Sequence, residues 1–136
     1  KFDKELEGDI FSFIKHSLAS RVDRALKAGL KEEQIVLDPG IGGFLSDDPA
    51  ISWLVLERYE EFLELGCPLM LACSRKGFLR SSDECSPIDR DGRSVQLAVE
   101  IISRLSAAKT LYIRAHNIAL HRAKIDLLVE RALALA

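Results

Sequence analysis

Residues 69–76 read LMLACSRK, an apolar run that stops abruptly at a serine followed by two cations. The run is too short for a helix and wholly apolar, which is typical of a strand buried on both faces of a parallel sheet. Two similar runs occur, IVL at residues 35–37 and LYI at residues 111–113. The motifs that follow the three runs are the aspartate motif DPGIG (residues 38–42), the basic motif SRK (residues 74–76) and the Arg-x-His motif RAH (residues 114–116). We therefore predict three parallel strands, each ending in a polar motif.

Four segments with the apolar spacing of helices surround these runs. They span residues 9–28, 48–66, about 92–107 and 117–136. Asp48 before Pro49 is typical of a helix start, Gly66 of a helix end, and Asn117 is a good N-cap. The least structured stretch is expected at residues 79–92, which are rich in Ser, Asp, Pro and Gly. The order α-β-α-β-α-β-α predicts an α/β fold of βα repeats with right-handed crossovers.

Three strands cannot close a barrel, and an open sheet of three would leave both edges exposed. We expect the remaining strands to come from a segment that precedes this chain, from another chain or from an unusual dimer. The helix before the first strand indicates that the chain begins partway through an alternating pattern.

The composition excludes several classes of function. The chain has 136 residues, enough for one domain, with a net charge of −2 and 48% apolar residues. Neither general affinity for nucleic acid nor binding to an anionic membrane is indicated, and no apolar run approaches the roughly 20 residues of a membrane span. Cys67, Cys73 and Cys85 lack the spacing of a zinc site or a disulfide framework. We expect a soluble cytoplasmic protein without protein ligands to a metal.

Because the ends of parallel strands lie at one edge of a sheet, the three motifs are expected to share one site. Asp38 could accept two parallel N–H bonds from an amino-pyrimidinone edge, although Asp-Pro-Gly is also ordinary turn chemistry. The two cations of the basic motif suit a phosphate or carbonyl ligand, or else a solvated loop. Arg114 and His116 would project together from a strand, next to the helix that Asn117 begins, and they suit a pyrophosphate.

The three motifs, in this order, resemble those of the dihydropteroate synthase family, which are pterin-binding (βα)8 barrels. The resemblance covers essentially all 136 residues and matches the C-terminal part of the barrel, from about the fifth helix to the eighth. It implies that residues 1–136 form the C-terminal part of a TIM barrel whose N-terminal strands are absent from this chain. It also implies small-molecule substrates, and either a homodimer packed through the last helices or a complement from the missing half.

That family joins 6-hydroxymethyl-7,8-dihydropterin pyrophosphate to p-aminobenzoate, with Mg²⁺ on the pyrophosphate. The resemblance implies that Asp38 holds the pterin edge, that Lys76 bonds the pterin ring, and that Arg75 shapes the aminobenzoate side. Arg114 and His116 would hold the pyrophosphate. The implied substrate-binding residues are Asp38, Gly42, Phe44, Ser74, Arg75, Lys76, Arg114 and His116, of which Lys76, Arg114 and His116 would be catalytic.

Three departures from the family pattern stand out. Where the family usually continues with Phe-Gly-Lys, this chain reads Gly43-Phe44-Leu45, so the lysine is absent and the phenylalanine is shifted by one position. Gly77 stands where a serine is frequent, and Asn117 replaces a common aspartate. The shifted Phe44, the missing lysine and the truncated start favour one alternative, a non-catalytic homologue that acts as a partner or dimerisation module. A second alternative is a pterin-dependent methyltransferase-like domain. The basic motif and the pair of Arg114 and His116 argue against it, because such a site has no pyrophosphate to hold. On its own, the chain is not expected to catalyse the reaction.

Overall fold

The computed structural model describes residues 9–105 and 110–134, which contain four α-helices and two strands. The helices are α1 (Ile10–Lys27), α2 (Pro49–Glu57), α3 (Asp91–Arg104) and α4 (Ile118–Ala134), and the strands are β1 (Leu69–Leu71) and β2 (Leu111–Ile113). Short 3₁₀ helices span Glu32–Gln34, Gly42–Phe44, Tyr59–Leu65, Gly77–Leu79 and Pro87–Arg90. The prediction of an α/β fold with βα repeats is confirmed.

β1 and β2 pair in parallel, with Leu69, Met70 and Leu71 opposite Leu111, Tyr112 and Ile113. The run at residues 35–37 lies beside β1 but forms only one parallel bridge, between Leu37 and Leu69. Its two hydrogen bonds join Leu37 N–H to the Pro68 carbonyl and Met70 N–H to the Leu37 carbonyl, both at 2.8 Å. Two of the three predicted strands are confirmed. The prediction of a strand at residues 35–37 is wrong, because this run forms a single bridge.

The pairing of the first run stops for a chemical reason. The next donor in a parallel ladder would be the backbone nitrogen of residue 39, which is a proline and carries no hydrogen. The carbonyl that it would have reached, that of Met70, accepts a hydrogen bond from the buried Tyr59 hydroxyl at 2.6 Å instead. A side chain thus completes the edge of the sheet where the backbone cannot.

The helix predicted over residues 48–66 is divided in two. α2 ends at Glu57, and the chain continues as the 3₁₀ helix Tyr59–Leu65 up to Gly66, which has a φ of 81°. The guanidinium of Arg104 donates to the carbonyls of Leu56 and Glu57 at 2.6 and 3.3 Å. These carbonyls end α2, so a residue of α3 satisfies acceptors that the helix itself leaves open.

The predicted helix starts are confirmed. Asp9 accepts from Phe11 N–H, Asp48 from Ala50 N–H and Asn117 from Leu120 N–H, at 2.9 to 3.1 Å. α3 begins at Asp91, one residue earlier than predicted. The predicted end of this helix at residue 107 lies outside the described residues. The same holds for the final two residues of the last predicted helix.

Residues 79–92, predicted to be the least structured stretch, contain the 3₁₀ helix Pro87–Arg90. They are held by the carboxylate of Glu84, whose side chain is 2% exposed and forms ion pairs with Arg80, Arg90 and Arg93.

The core lies between the sheet and helices α1, α2 and α3. The Phe11 and Phe62 rings pack at a centroid distance of 4.5 Å. The side chains of Leu69, Leu71 and Ile101 are fully buried in the same core. No helix in the described part of the chain is long and apolar enough to cross a membrane. The three cysteines are free thiols, with Cys67 and Cys73 buried.

Candidate functional site

A cavity of about 620 Å³ opens where β1 and β2 end. Its lining residues are Ala72, Ser74, Arg75, Lys76, Pro87, Arg114, Ala115 and His116. The basic motif and the Arg-x-His motif therefore converge on one space, as the parallel strand order predicts. The lining carries three cations and an imidazole but no carboxylate, so it favours an anionic ligand.

Two direct links hold these motifs together. The backbone N–H of Arg114 donates to the Leu71 carbonyl at 3.0 Å, which continues the sheet one step beyond β2. The buried Ser74 hydroxyl oxygen then accepts the backbone N–H of His116 at 3.0 Å and lies 3.0 Å from its Nδ1.

The contact with Ser74 is compatible with a His116 ring that donates to an anion. The hydroxyl can donate its single proton to Nδ1 of the neutral ring, which leaves the ring proton on Nε2. His116 itself is exposed, so Nε2–H is available to an anion in the cavity. When the ring is protonated, both nitrogens are donors and Ser74 accepts from Nδ1.

Lys76 and Arg114 form no ion pair with any residue that the structure describes. The Lys76 side chain passes over Gly42, where an added Cβ atom would lie 3.0 Å from its Cδ. Gly42 has a φ of 73°, and its N–H donates to the buried Ser52 hydroxyl at 2.9 Å. The aspartate motif thus reaches the cavity through the contact between Gly42 and Lys76.

Asp38 and Phe44 are not among the lining residues of this cavity. Asp38 is exposed, and its Oδ1 accepts the Gly40 N–H at 3.0 Å, so the turn chemistry considered above is present. Burial raises the pKa of the Tyr59 hydroxyl, and the negative charge of Asp38 raises it further. Phe44 is 82% exposed, with its ring against Gly40. The basic motif and the Arg-x-His motif therefore line this cavity together, whereas the aspartate motif does not line it.

The Arg75 guanidinium is held by a carboxylate that the sequence analysis did not single out. Asp91 accepts from its Nε at 2.7 Å and from its Nη2 at 3.0 Å. These bonds lower the pKa of Asp91 to about 2. The only sequence signal for Asp91 is its place in the first turn of a helix, where acidic residues are common for reasons unrelated to a site.

The described residues contain no group of three or more His, Cys, Asp or Glu side chains that could hold a metal ion. The resemblance described above implies that Mg²⁺ would bind the substrate's pyrophosphate. That expectation stays a prediction.

Comparison with known proteins identifies several relatives. The sequence model of the family described as pterin binding enzyme matches residues 3–113. The chain is 36% identical to dihydropteroate synthase type-2 of Escherichia coli over 111 residues, which are 81% of this chain and 40% of that protein. It is 30% identical to dihydropteroate synthase of Mycobacterium leprae over 124 residues, 88% of this chain and 41% of that protein.

Solved structures agree with these matches. Dihydropteroate synthase from Thermus thermophilus in complex with 4-aminobenzoate superposes with a TM-score of 0.77 at 27% identity, covering 90% of this chain and 47% of that one. The same enzyme in complex with 6HMPPP gives 0.77 at 26% identity, covering 91% and 46%. The chain thus spans about 40% of the length of these curated relatives and less than half of these solved chains.

Proposed function

The chain belongs to the pterin binding enzyme family, and on that premise we propose that it forms the pyrophosphate-holding part of a dihydropteroate synthase. The reaction joins 6-hydroxymethyl-7,8-dihydropterin pyrophosphate to p-aminobenzoate and releases pyrophosphate. The ligands named for the Thermus thermophilus structures, 4-aminobenzoate and 6HMPPP, support these substrates. The observation that carries the proposal is the convergence of Lys76, Arg114 and His116 on one cavity without a lining carboxylate.

In the proposed reaction, the bond between the pterin methylene carbon and the pyrophosphate oxygen breaks, and the electron pair leaves with the pyrophosphate. Lys76 and Arg114 are cations already in place for the charge that develops on the leaving group. His116 donates from Nε2 to the same oxygens. Because these groups need no rearrangement, their interaction with the charge is strongest in the transition state.

The amino group of p-aminobenzoate then forms a C–N bond to the methylene carbon and loses a proton. Carbocation character at that carbon lets a weak aniline nucleophile attack without a strong base. Asp38 would accept the N–H groups of the amino-pyrimidinone edge. Its Oδ1 already accepts Gly40 N–H, and a carboxylate oxygen has room for a second donor. Substrate-binding roles for Phe44 and Arg75 stay predictions.

Three further statements belong to this proposal. Mg²⁺ would bind the pyrophosphate oxygens of the substrate. The protein would act either as a homodimer or with a complementing N-terminal half that supplies the other strands of the barrel. The protein would work in the cytoplasm, for which the three free thiols are the support, because reducing compartments keep cysteines unpaired.

Isothermal titration of the intact protein tests the proposal with two ligands, the pterin pyrophosphate and the pterin alcohol. Arg114→Ala should weaken binding of the pyrophosphate by about 1.5–3 kcal/mol, the value of a hydrogen bond to a charged group, and change binding of the alcohol little. Arg122→Ala is the matched control, because Arg122 is exposed and paired with Asp126 away from the cavity. Equal losses for both ligands would remove the pyrophosphate assignment.

The exposed position of Phe44 favours a second candidate, a non-catalytic homologue that serves as a partner or dimerisation module. A wild-type protein that binds neither pterin ligand, yet associates with an active synthase, would support this second function and contradict the first.

A further inference from the structure

Asp91 contacts one residue of the basic motif and the residue that follows the Arg-x-His motif. It is 7% exposed, at the start of α3. One of its oxygens, Oδ2, accepts from Arg75 Nη2 and from the side-chain amide of Asn117, each at 3.0 Å. Its other oxygen, Oδ1, accepts from Arg75 Nε at 2.7 Å. One carboxylate thus connects the basic motif, which follows β1, with the residue next to the Arg-x-His motif, which follows β2.

The backbone of Arg75 is held by the same region. Arg75 has a φ of 59°, a left-handed conformation that is unfavourable for a residue other than glycine. Its N–H donates to the Ser94 hydroxyl at 3.0 Å, and its carbonyl accepts from Arg90 Nη1 at 2.8 Å. With the fork to Asp91, these contacts hold both the backbone and the side chain of Arg75, which is the residue directly before Lys76.

The position of Asn117 is held in a similar way. Its Oδ1 caps α4 by accepting Leu120 N–H, and its carbonyl oxygen accepts from Nδ1 of the buried His121 at 2.8 Å. Because a carbonyl can only accept, His121 Nδ1 carries the proton. Asn117 is therefore fixed on its backbone and on both ends of its amide, and it is the residue directly after His116.

We propose that Asp91 is a positioning residue, which sets the distance between the basic motif and the Arg-x-His motif, and that Arg75 serves as its anchor rather than as a ligand of the substrate. The pairing with Asp91 occupies the Nε and Nη2 face of the guanidinium and offsets its charge. Lys76 and Arg114 remain as the cations that can act on an anion. This inference rests on the proposed function, because the groups that Asp91 positions are those assigned to the pyrophosphate.

Asn117 is chemically matched to Asp91. An aspartate at position 117, the residue common in the family, would set a second carboxylate against Oδ2 at the same 3.0 Å contact. Two carboxylates at that distance repel each other unless one takes up a proton. Exchanging the two residues, by Asp91→Asn with Asn117→Asp, would again leave one carboxylate facing one amide at this contact.

This exchange provides the test, because aspartate caps a helix as well as asparagine does and α4 should keep its start. We expect Asp91→Asn and Asn117→Asp each to weaken binding of inorganic pyrophosphate by about tenfold or more, and the double variant to recover most of that loss. Circular dichroism and urea unfolding verify that each variant is folded. A merely additive loss in the double variant would overturn the inference.

A ligand-free readout separates this inference from the proposed function. The amide and imidazole NMR signals of His116 should shift in each single variant and return towards their wild-type positions in the double variant. If the wild type binds no pyrophosphate while these shifts occur, the proposed function fails and the inference stands.

A folded Asp91→Asn protein with unchanged His116 signals and unchanged pyrophosphate affinity would contradict the inference. If Asp91→Asn does not fold, the comparison between Asn117→Asp and the double variant decides, since absence of any recovery would also contradict it.

Discussion

The Ser74 hydroxyl oxygen accepts the backbone N–H of His116 at 3.0 Å and lies at the same distance from Nδ1 of its ring. One side chain at the end of β1 therefore holds both the backbone and the imidazole of a residue that follows β2. Because Ser74 is buried, water does not readily replace this contact. The orientation of His116 towards the cavity depends on it.

Replacing Ser74 with alanine should lower the free energy of unfolding by about 1–3 kcal/mol, because the partly buried N–H of His116 loses its acceptor. Pyrophosphate affinity should fall as well, since the ring loses the hydroxyl that contacts Nδ1. Urea unfolding and calorimetry measure the two effects. Ser103→Ala is the control, because the Ser103 hydroxyl is exposed and donates to the Glu100 carbonyl in its own helix. Equal effects of the two changes would contradict the role given to Ser74.

Gly42→Ala should be costly for two separate reasons. Its φ of 73° strains any other residue by about 1–2 kcal/mol, and the new Cβ would lie 3.0 Å from Cδ of Lys76. We expect lower stability together with weaker pyrophosphate binding, because Lys76 must move. The neighbouring Gly43→Ala is the control, since its Cβ would meet nothing closer than Asp47 Oδ1 at 3.7 Å. Pyrophosphate affinity that survives Gly42→Ala unchanged would show that the position of Lys76 is unimportant.

Asp38→Asn distinguishes the role of Asp38 in the local turn from its proposed role in binding the pterin. An asparagine oxygen can still accept the Gly40 N–H, so the unfolding free energy should change little. Affinity for the pterin alcohol should fall by about 1.5–3 kcal/mol, because the charged acceptor is lost. Asp48→Asn serves as the control, because Asp48 accepts from Ala50 N–H in a comparable local turn at the start of α2. Full pterin affinity in Asp38→Asn would exclude Asp38 from the pterin site.

Acid unfolding should isolate the contribution of Asp91. Hydrogen bonds from Arg75, and then from Asn117, lower its pKa from 3.8 to about 2 in the folded state. The unfolded chain therefore binds the proton first as the pH falls, and the stability from the ionised group is full above about pH 4 and lost towards pH 2.

The difference in unfolding free energy between wild type and Asp91→Asn should accordingly be constant from about pH 7 to 5 and shrink between about pH 4 and 2. Urea unfolding of both proteins across this range measures it. Other carboxylates cancel, because both proteins contain them. A difference that is independent of pH down to about 2 would contradict the ion pair.

The parts of the fold that could be predicted are those decided within a few residues. Asp9, Asp48 and Asn117 begin helices because each side chain accepts an N–H two or three residues further on. The convergence of Lys76 with Arg114 and His116 was also predictable, because parallel strands bring their carboxyl ends to one edge.

The parts that could not be predicted depend on distant partners. The apolar spacing continues past Arg58, yet α2 ends at Glu57, whose carbonyl bonds to Arg104, 47 residues away. Arg75 reads as a ligand residue until its partner Asp91, 16 residues later, is seen beside it. The placement of Asp38 and Phe44 outside the cavity likewise follows from how the aspartate motif folds back on Gly40.

The amino-acid sequence by itself determined the helix starts, the strand direction and the three motifs, because hydrogen bonds and apolar spacing over a few residues suffice for these. Tertiary structure alone decided which cations stay free for an anion. A positive charge remains available only where packing brings no carboxylate to it, and packing brought Asp91 to Arg75 but none to Lys76 or Arg114 among the residues that the structure describes.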